Sequence, residues 1–252
     1  MTIENTLTEM LGKSFDALEK FNRKLGECQP MSQKAAEVYI CSIYSLHRTA
    51  PSGIAHLAAR LTDELMPIAP FDAHAMTAWV LDAAADEYGL RGGETHTELL
   101  ARFGEAFGVD RTIMESRCSS TPGAAAMEAS MNHWFRQSPL DFALGVHLAS
   151  ELTSRREFEG WLSVLGNRDH PGWVYLHAHC AVEDGHVSSL TTFATKWIEL
   201  RPNSRDIVFD GVRAYDAAYA RMFNEMAAEI GAPPRAQEVL TSSSIDLLAA
   251  SR

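Results

Sequence analysis

The sequence predicts an all-α protein that folds as a single-domain helical bundle. Apolar side chains recur at helical spacing along most of the chain, and no stretch keeps the alternation of a β-strand. Apolar residues make up 46% of the 252 residues, which is enough to form one sizeable core. We find no internal repeat and no linker, so one domain is expected over residues 1–232. A Ser/Ala-rich tail follows over residues 233–252, where partial disorder is expected.

Proline, glycine and capping residues divide the first half of the chain into predicted helices. Residues 4–25 carry one apolar stripe, which ends before Pro30. Ser32 can cap a second helix, which is expected to end near Ala50-Pro51. A capping box formed by Thr95 and Glu98 opens a later helix. That helix is predicted over residues 95–107. Two more helices are predicted before it, over residues 51–65 and 73–88.

The second half of the chain continues the same pattern. Pro122-Gly123 is expected to lie in a turn. Helices are then predicted over residues 124–135, 140–152, 158–165, 173–200 and 205–230. These segments complete a bundle in which every predicted element is a helix.

Composition excludes several classes of function. The net charge of −11 gives no basic field to attract nucleic acid or an anionic membrane surface. The N-terminus has neither a basic nor an apolar signal region, and no apolar run approaches the ~20 residues of a membrane span. Four scattered cysteines without paired spacing are typical of reduced thiols, so a cytoplasmic protein is expected.

The most informative motif is His179-x3-Glu183-x2-His186. On an α-helix, offsets of four and seven residues place all three side chains on one stripe. Burying two imidazoles and a carboxylate together is costly unless they share a partner, and this donor set suits iron, zinc or manganese. A solvated helix face is the alternative, but the apolar flanks, including Trp173 and Leu176, favour a buried metal site.

Two further groups could complete such a site. Glu87 ends one predicted helix and His96 opens the next, so a short glycine-containing link brings them near each other. Taken alone, this pair is more typical of a solvated helix end. Glu151 ends an almost wholly apolar run, one turn after His147, and is either emerging into solvent or buried with a partner.

The succession of these blocks resembles the haem-oxygenase-like diiron oxidases, a family of iron-containing redox enzymes. The matching blocks are Asp86-Glu87-Tyr88-Gly89, His96-Thr-Glu-Leu99, the apolar helix ending at Glu151, and His179-x3-Glu183-x2-His186. The resemblance covers about residues 30 to 225. Glu183 stands where the family usually has Asp, and its longer side chain can still bind iron.

The resemblance implies a haem-oxygenase-like fold of about seven core helices without haem. It implies a diiron site holding two Fe(II) ions, the second weakly bound, with O2 as co-substrate. The ligands that it implies are Glu87, His96, Glu151, His179, Glu183 and His186. The activity implied is N-oxygenation or oxidative C–C or C–N cleavage of a small amine or amino-acid-like metabolite in natural-product biosynthesis. An external electron donor and a second copy of the chain are further partners that it allows.

Two other readings of the sequence remain open. One is a metal-free, thiaminase-II-like hydrolase of the same fold, although no distinctive cysteine constellation supports it. The other is a non-catalytic helical binding protein whose histidines are incidental. The polar groups that could hold a substrate cannot be placed from sequence, and they are His147, Tyr175, His177, Arg213 and Tyr215.

Overall fold

The computed structural model confirms the all-α fold. It describes residues 3–90, 93–166 and 168–230, apart from the side chains of residues 182–191. Within this part of the chain every regular element is helical. The α-helices are α1 Ile3–Met10, α2 Gly12–Glu27, α3 Gln33–Leu65, α4 Pro70–Glu87, α5 His96–Glu105, α6 Arg111–Ser116, α7 Pro122–Gln137, α8 Leu140–Leu165, α9 Val174–Leu200 and α10 Arg205–Ile230. The tail predicted over 233–252 lies outside the described residues.

Helix α3 corrects a predicted boundary. Its N-terminus is capped as expected, because Ser32 Oγ accepts a hydrogen bond from the Ala35 amide at 3.2 Å. The predicted end at Ala50-Pro51 is wrong, since α3 runs through Pro51 to Leu65. A proline inside a helix costs about 3 kcal/mol. Burying the apolar side chains beyond it, such as Ile54 and Leu57, contributes about 1.5–3 kcal/mol for each large one and outweighs that cost.

Helix α8 is also one element where two were predicted. It runs unbroken across residues 153–157, where the sequence predicted a break between two helices. Thr153 and Glu157 are buried there and face other helices, so these polar residues continue the inner face of α8. As a result, Glu151 and Glu157 stand on one rigid helix.

Other boundaries differ in detail. The helix predicted over 4–25 is split at Leu11 into α1 and α2, and the short α6, capped by Asp110, was not predicted. Pro122 lies in the first turn of α7, where a proline needs no amide partner, rather than in a separate turn.

The last helix is held tightly at the centre of the bundle. A Cβ atom added to Gly145 of α8 would lie 1.9 Å from the Val208 carbonyl oxygen, and one added to Gly211 of α10 would lie 2.2 Å from the Phe142 carbonyl oxygen. The two helices therefore touch backbone to backbone. Buried Asp216 of α10 also accepts hydrogen bonds from the amide and hydroxyl of Ser14, which fixes the start of α2.

A cavity lies between this central pair and the other side of the bundle. Helices α3, α4, α7, α8, α9 and α10 all contribute residues to its wall. None of the helices that the structure describes is both long enough and apolar enough to cross a membrane.

Candidate metal centre

Glu87, His96 and His47 meet beside the cavity. Glu87 ends α4, His96 begins α5, and His47 lies in the middle of α3. Glu87 Oε1 is 3.1 Å from His96 Nδ1, and Glu87 Oε2 is 3.1 Å from His47 Nδ1. One ligand-competent atom from each of the three residues lies within 4.8 Å of the other two. The contact predicted between Glu87 and His96 is therefore present.

Gly89 makes the turn between Glu87 and His96 feasible. It has a φ of 66°, in the left-handed region that favours glycine. A Cβ atom at this position would also lie 2.7 Å from the backbone of Glu94. A side chain there would push the start of α5 away from the end of α4.

His179 comes to the same place from α9. Its imidazole ring centroid lies 4.2 Å from that of His96 and 5.7 Å from that of His47, and the ring stacks on Phe158 at 3.8 Å. His179 Nδ1 is 2.7 Å from the Tyr175 carbonyl oxygen, which can only accept a hydrogen bond, so Nδ1 carries the hydrogen. The lone pair is then on Nε2, which is buried and has no hydrogen-bond partner among the described residues.

Glu151 lines the same cavity as Glu87 and His179. About 14% of its side-chain surface is exposed, so it is largely buried rather than emerging into solvent. Its Oε1 atom lies 3.7 Å from Nδ1 of fully buried His147, one turn earlier on α8. Of the two placements that the sequence left open for Glu151, burial beside another ionisable residue is the one observed.

Glu183 and His186 both lie on α9, beyond His179. The backbone of α9 is helical through both positions, which is the condition for their spacing to put them on one stripe with His179. Their side chains lie outside the described part of the structure. Their assignment as ligands stays a prediction.

The electrostatics of the centre match its donor set. Burial works to raise the pKa of Glu87, but the neighbouring His47 and His96 outweigh it and hold that pKa well below its usual range. Burial, reinforced by His96 and His47, lowers the pKa of His179 well below that of an exposed histidine. A carboxylate and a neutral imidazole are the forms that bind a metal ion.

The cavity has a second polar end, which sequence analysis missed. Glu157 lies in its wall, and its two oxygens accept hydrogen bonds of 2.7 Å each from the hydroxyls of Tyr39 and Tyr219. Tyr215 lies beside them and shares a hydrogen bond of 2.8 Å with Thr153. Between the two ends the wall is mostly apolar.

The polar groups that sequence left unplaced now divide into two sets. Tyr175, Tyr215 and His147 are buried close to the cavity. Tyr175 donates its hydroxyl hydrogen to His47 Nε2 over 2.8 Å, because Nδ1 of that ring faces Glu87. Arg213 is exposed and paired with Asp210, and His177 is exposed on α9. The exposed set lies away from the cavity.

Two residues of the site, His47 and Glu157, had a signal in the sequence that was not used. His47 stands on the apolar stripe of α3, one turn after Ile43 and one turn before Pro51. Glu157 stands one turn before buried Trp161 on the inner face of α8. An ionisable residue on a stripe of buried neighbours requires a partner, and this signal could have found both.

The described residues fit a bound metal ion. The buried Nε2 of His179 has no hydrogen-bond partner among the described residues, on a ring whose centroid lies 4.2 Å from that of His96. The ring carries its hydrogen on Nδ1, as a histidine that binds a metal through Nε2 requires. Glu87 supplies a carboxylate, and Glu151 supplies a second one across the cavity. Imidazole and carboxylate together are the donors that iron takes in non-haem sites.

Comparison with solved structures agrees with the fold. Two crystal structures of a CADD-like protein of unknown function from Nostoc punctiforme are similar to this chain. One has a TM-score of 0.66 at 19% identity, covering 91% of this chain and 99% of that chain. The other has a TM-score of 0.61 at 18% identity, with coverage of 92% and 99%. At this identity the likeness shows the fold alone.

Sequence comparison supplies the family. No curated protein matches the chain. A family model described as an iron-containing redox enzyme matches residues 37–220, well over half of the chain. The resemblance noted from the motifs is thereby confirmed. The chain belongs to the haem-oxygenase-like family of iron-containing redox enzymes.

Proposed function

We propose that the protein is a non-haem diiron oxidase or oxygenase that uses O2 to oxidise a small amine or amino-acid-like metabolite. The observation that carries this proposal is the convergence of Glu87, His96 and His179 from three different helices beside one cavity. Membership of an iron-containing redox family supports iron as the metal.

The proposed ligands are the six residues that the family resemblance implies. They are Glu87, His96, Glu151, His179, Glu183 and His186. Three carboxylates among them would offset most of the charge of two Fe(II) ions. Such a pair, when bound, supplies the electrons that activate O2. An external electron donor belongs to the proposal, since full reduction of O2 to water takes more electrons than one two-electron oxidation of the substrate provides.

The protein's own contribution is to orient these groups and keep the site dry. His47 donates from Nδ1 to Glu87 and so fixes the rotation of that carboxylate. The Tyr175 carbonyl holds the tautomer of His179 with its Nε2 lone pair free to bind. The apolar wall, including Ile43, Leu46 and Phe135, restricts water to the polar ends of the cavity. A preorganised first shell of this kind needs little rearrangement when metal binds.

Two alternatives fit the described residues less well. A cysteine-dependent hydrolase would need a thiolate at the cavity, but none of the described lining residues is a cysteine. Burial raises the pKa of Cys41 to about 12, so that group is a thiol at neutral pH. A purely structural role leaves unexplained why His179 Nε2 is buried without a hydrogen-bond partner among the described residues, a cost of about 1–3 kcal/mol.

Iron loading and oxygen use test the proposal. After anaerobic reconstitution with Fe(II), elemental analysis should find about two irons per chain. Mixing this protein with O2 and a substrate amine should give a transient visible absorption band in stopped-flow measurements. A chain that stays metal-free under these conditions, or that turns over without iron and oxygen, would refute the assignment.

A further inference from the structure

Glu157 is a buried carboxyl that the proposed metal centre does not use. It stands six residues beyond Glu151 on α8, which at 1.5 Å per residue is about 9 Å along the helix axis. Only 6% of its surface is exposed. Its hydrogen bonds to Tyr39 and Tyr219 engage one acceptor position on each oxygen, and each oxygen has another. The carboxyl group can therefore accept from a third group that enters the cavity.

Neither hydrogen-bond partner of this carboxyl group carries a charge that balances its own. Both hydrogen-bond partners are neutral phenols, and burial raises the pKa of each. Burial also raises the pKa of Glu157, and it outweighs the two tyrosine hydrogen bonds and the smaller opposing effect of His47. The described lining of the cavity contains the carboxyl groups of Glu87, Glu151 and Glu157 but no lysine or arginine. A cationic ligand would supply the missing charge.

The space between the two ends suits a short hydrocarbon. The cavity has a volume of about 120 Å³. A cavity of about 150 Å³ admits a benzene-sized molecule, so the group that fits here is of similar size or smaller. Between the two polar ends, the apolar wall includes Met127, Met131 and Phe135, together with Phe158, which stacks against His179. Such a surface binds methylene groups and rejects a second charge.

We propose that Glu157 is the binding site for the ammonium group of a short-chain primary amine, so that carbon rather than nitrogen of the substrate faces Glu87, His96 and His179. This rests on the proposed function and narrows it. An ammonium group donates three hydrogen bonds and pairs with a carboxylate as a charge-assisted contact. Its attached chain then extends along the apolar wall towards the metal centre. Oxidation at carbon follows from this placement, and N-oxygenation does not.

A binding measurement on the metal-free protein tests this site without relying on iron. The probes are n-pentylamine, pentan-1-ol and pentanoate, which share one chain length and differ in the charge of the head group. In calorimetric titrations at neutral pH we expect the wild-type protein to bind n-pentylamine at least tenfold more tightly than pentan-1-ol. Pentanoate should bind more weakly than either. Equal affinities for the three probes would overturn the proposal, and this comparison needs no variant.

The matched variants are Glu157→Gln and Glu159→Gln on the same helix. The first keeps the shape and one acceptor for a tyrosine hydroxyl but removes the charge. The second removes a charge from an exposed residue paired with Arg155. We expect Glu157→Gln to weaken n-pentylamine binding at least tenfold and to leave pentan-1-ol unchanged, whereas Glu159→Gln changes neither. Undiminished amine binding by Glu157→Gln would reject the site.

Iron content, measured separately, keeps the two proposals distinct. Selective amine binding by a protein that takes up no iron would refute the diiron assignment and leave the ammonium site standing. Two irons per chain without a preference for the amine would refute the ammonium site and leave the diiron assignment standing.

Discussion

His47 and Glu87 are joined by a hydrogen bond of 3.1 Å that links the middle of α3 to the end of α4. The opposite ring nitrogen of His47 accepts the hydroxyl hydrogen of Tyr175 at 2.8 Å, which carries the connection into α9. Both ring nitrogens are therefore engaged, and the imidazole has one orientation. The carboxylate of Glu87 is held by a group whose own position is fixed.

Removing this support should weaken metal binding. We expect His47→Phe to reduce Fe(II) affinity by about 10–100-fold, the usual effect of losing a residue that orients a metal ligand. Anaerobic Fe(II) titration with calorimetric detection measures it, and His133→Phe, at an exposed position on α7, is the control. An unchanged affinity would contradict the orienting role. Loss of a whole iron equivalent would show instead that His47 is itself a ligand.

His179 should be essential for iron and dispensable for the fold. We expect His179→Ala to abolish iron binding at one or both positions, because it removes a buried imidazole nitrogen that has no other partner among the described residues. Circular dichroism should show unchanged helix content. His177→Ala, two residues away and exposed, should retain full iron. The same loss is expected for His186→Ala. Full iron occupancy in His179→Ala would remove this residue from the ligand set.

Glu183 tests the register of α9. Helix geometry turns the neighbouring Asp184 about 100° away from the stripe of His179, so Asp184 cannot take over its role. We expect Glu183→Ala to lose the second iron, and Glu183→Asp to bind it more weakly and react more slowly because its carboxylate is one methylene shorter. Asp184→Ala should behave as the wild type. The measurements are iron content by elemental analysis and the initial rate of turnover. Loss of iron in Asp184→Ala but not in Glu183→Ala would show that the predicted register of α9 is wrong.

The parts of the site that are close in sequence could be predicted, and the parts assembled by packing could not. Glu87 and His96 are separated by one short link, so their proximity followed from two helix ends. His47 is 40 residues from Glu87, and its contact depends on how α3 packs against α4. Glu157 meets Tyr39 across 118 residues and Tyr219 across 62. Neither partnership has a local pattern.

The boundaries that failed have a common physical cause. Residues 153–157 were predicted as a break because they form a run of polar side chains, and proline at position 51 because local preference disfavours a helix there. Burial of the flanking side chains on both sides overrides that preference. The fold class was predictable because it depends on apolar periodicity, which these local exceptions do not disturb.

The raised pKa of Glu157 predicts how stability depends on pH. A carboxyl group whose pKa is higher in the folded state binds its proton more tightly there, so its contribution to stability is present at low pH and is lost as pH rises through that folded pKa. Glu157→Gln should therefore gain stability relative to the wild type as the pH rises above about 4, the ordinary pKa range of a glutamate. Urea unfolding of the metal-free proteins measures it, with Glu159→Gln as the control. A difference that is independent of pH would contradict the shift.

The close contact between α8 and α10 predicts a large effect of one methyl group. Gly145→Ala places a Cβ atom 1.9 Å from the Val208 carbonyl oxygen, so the helices must separate. Overpacking of this kind typically costs about 1–3 kcal/mol. Gly12→Ala is the control, because its Cβ atom would meet nothing within 4 Å and alanine favours the helix. Urea denaturation should show opposite signs for the two variants, and equal stability would argue against the contact.

That same contact constrains how the cavity opens. Backbone atoms at Gly145 and Gly211 already touch, so α8 and α10 have no slack in which to slide or approach. The wall that carries Glu157 and Tyr219 is therefore the stationary side of the cavity during a catalytic cycle. The movements that let the substrate enter and the product leave must therefore occur on the opposite side, where α4 carries Glu87 and α9 carries His179. On this view Glu87 and His179 move with α4 and α9, whereas Glu151 stays fixed on α8 with the wall that holds the substrate.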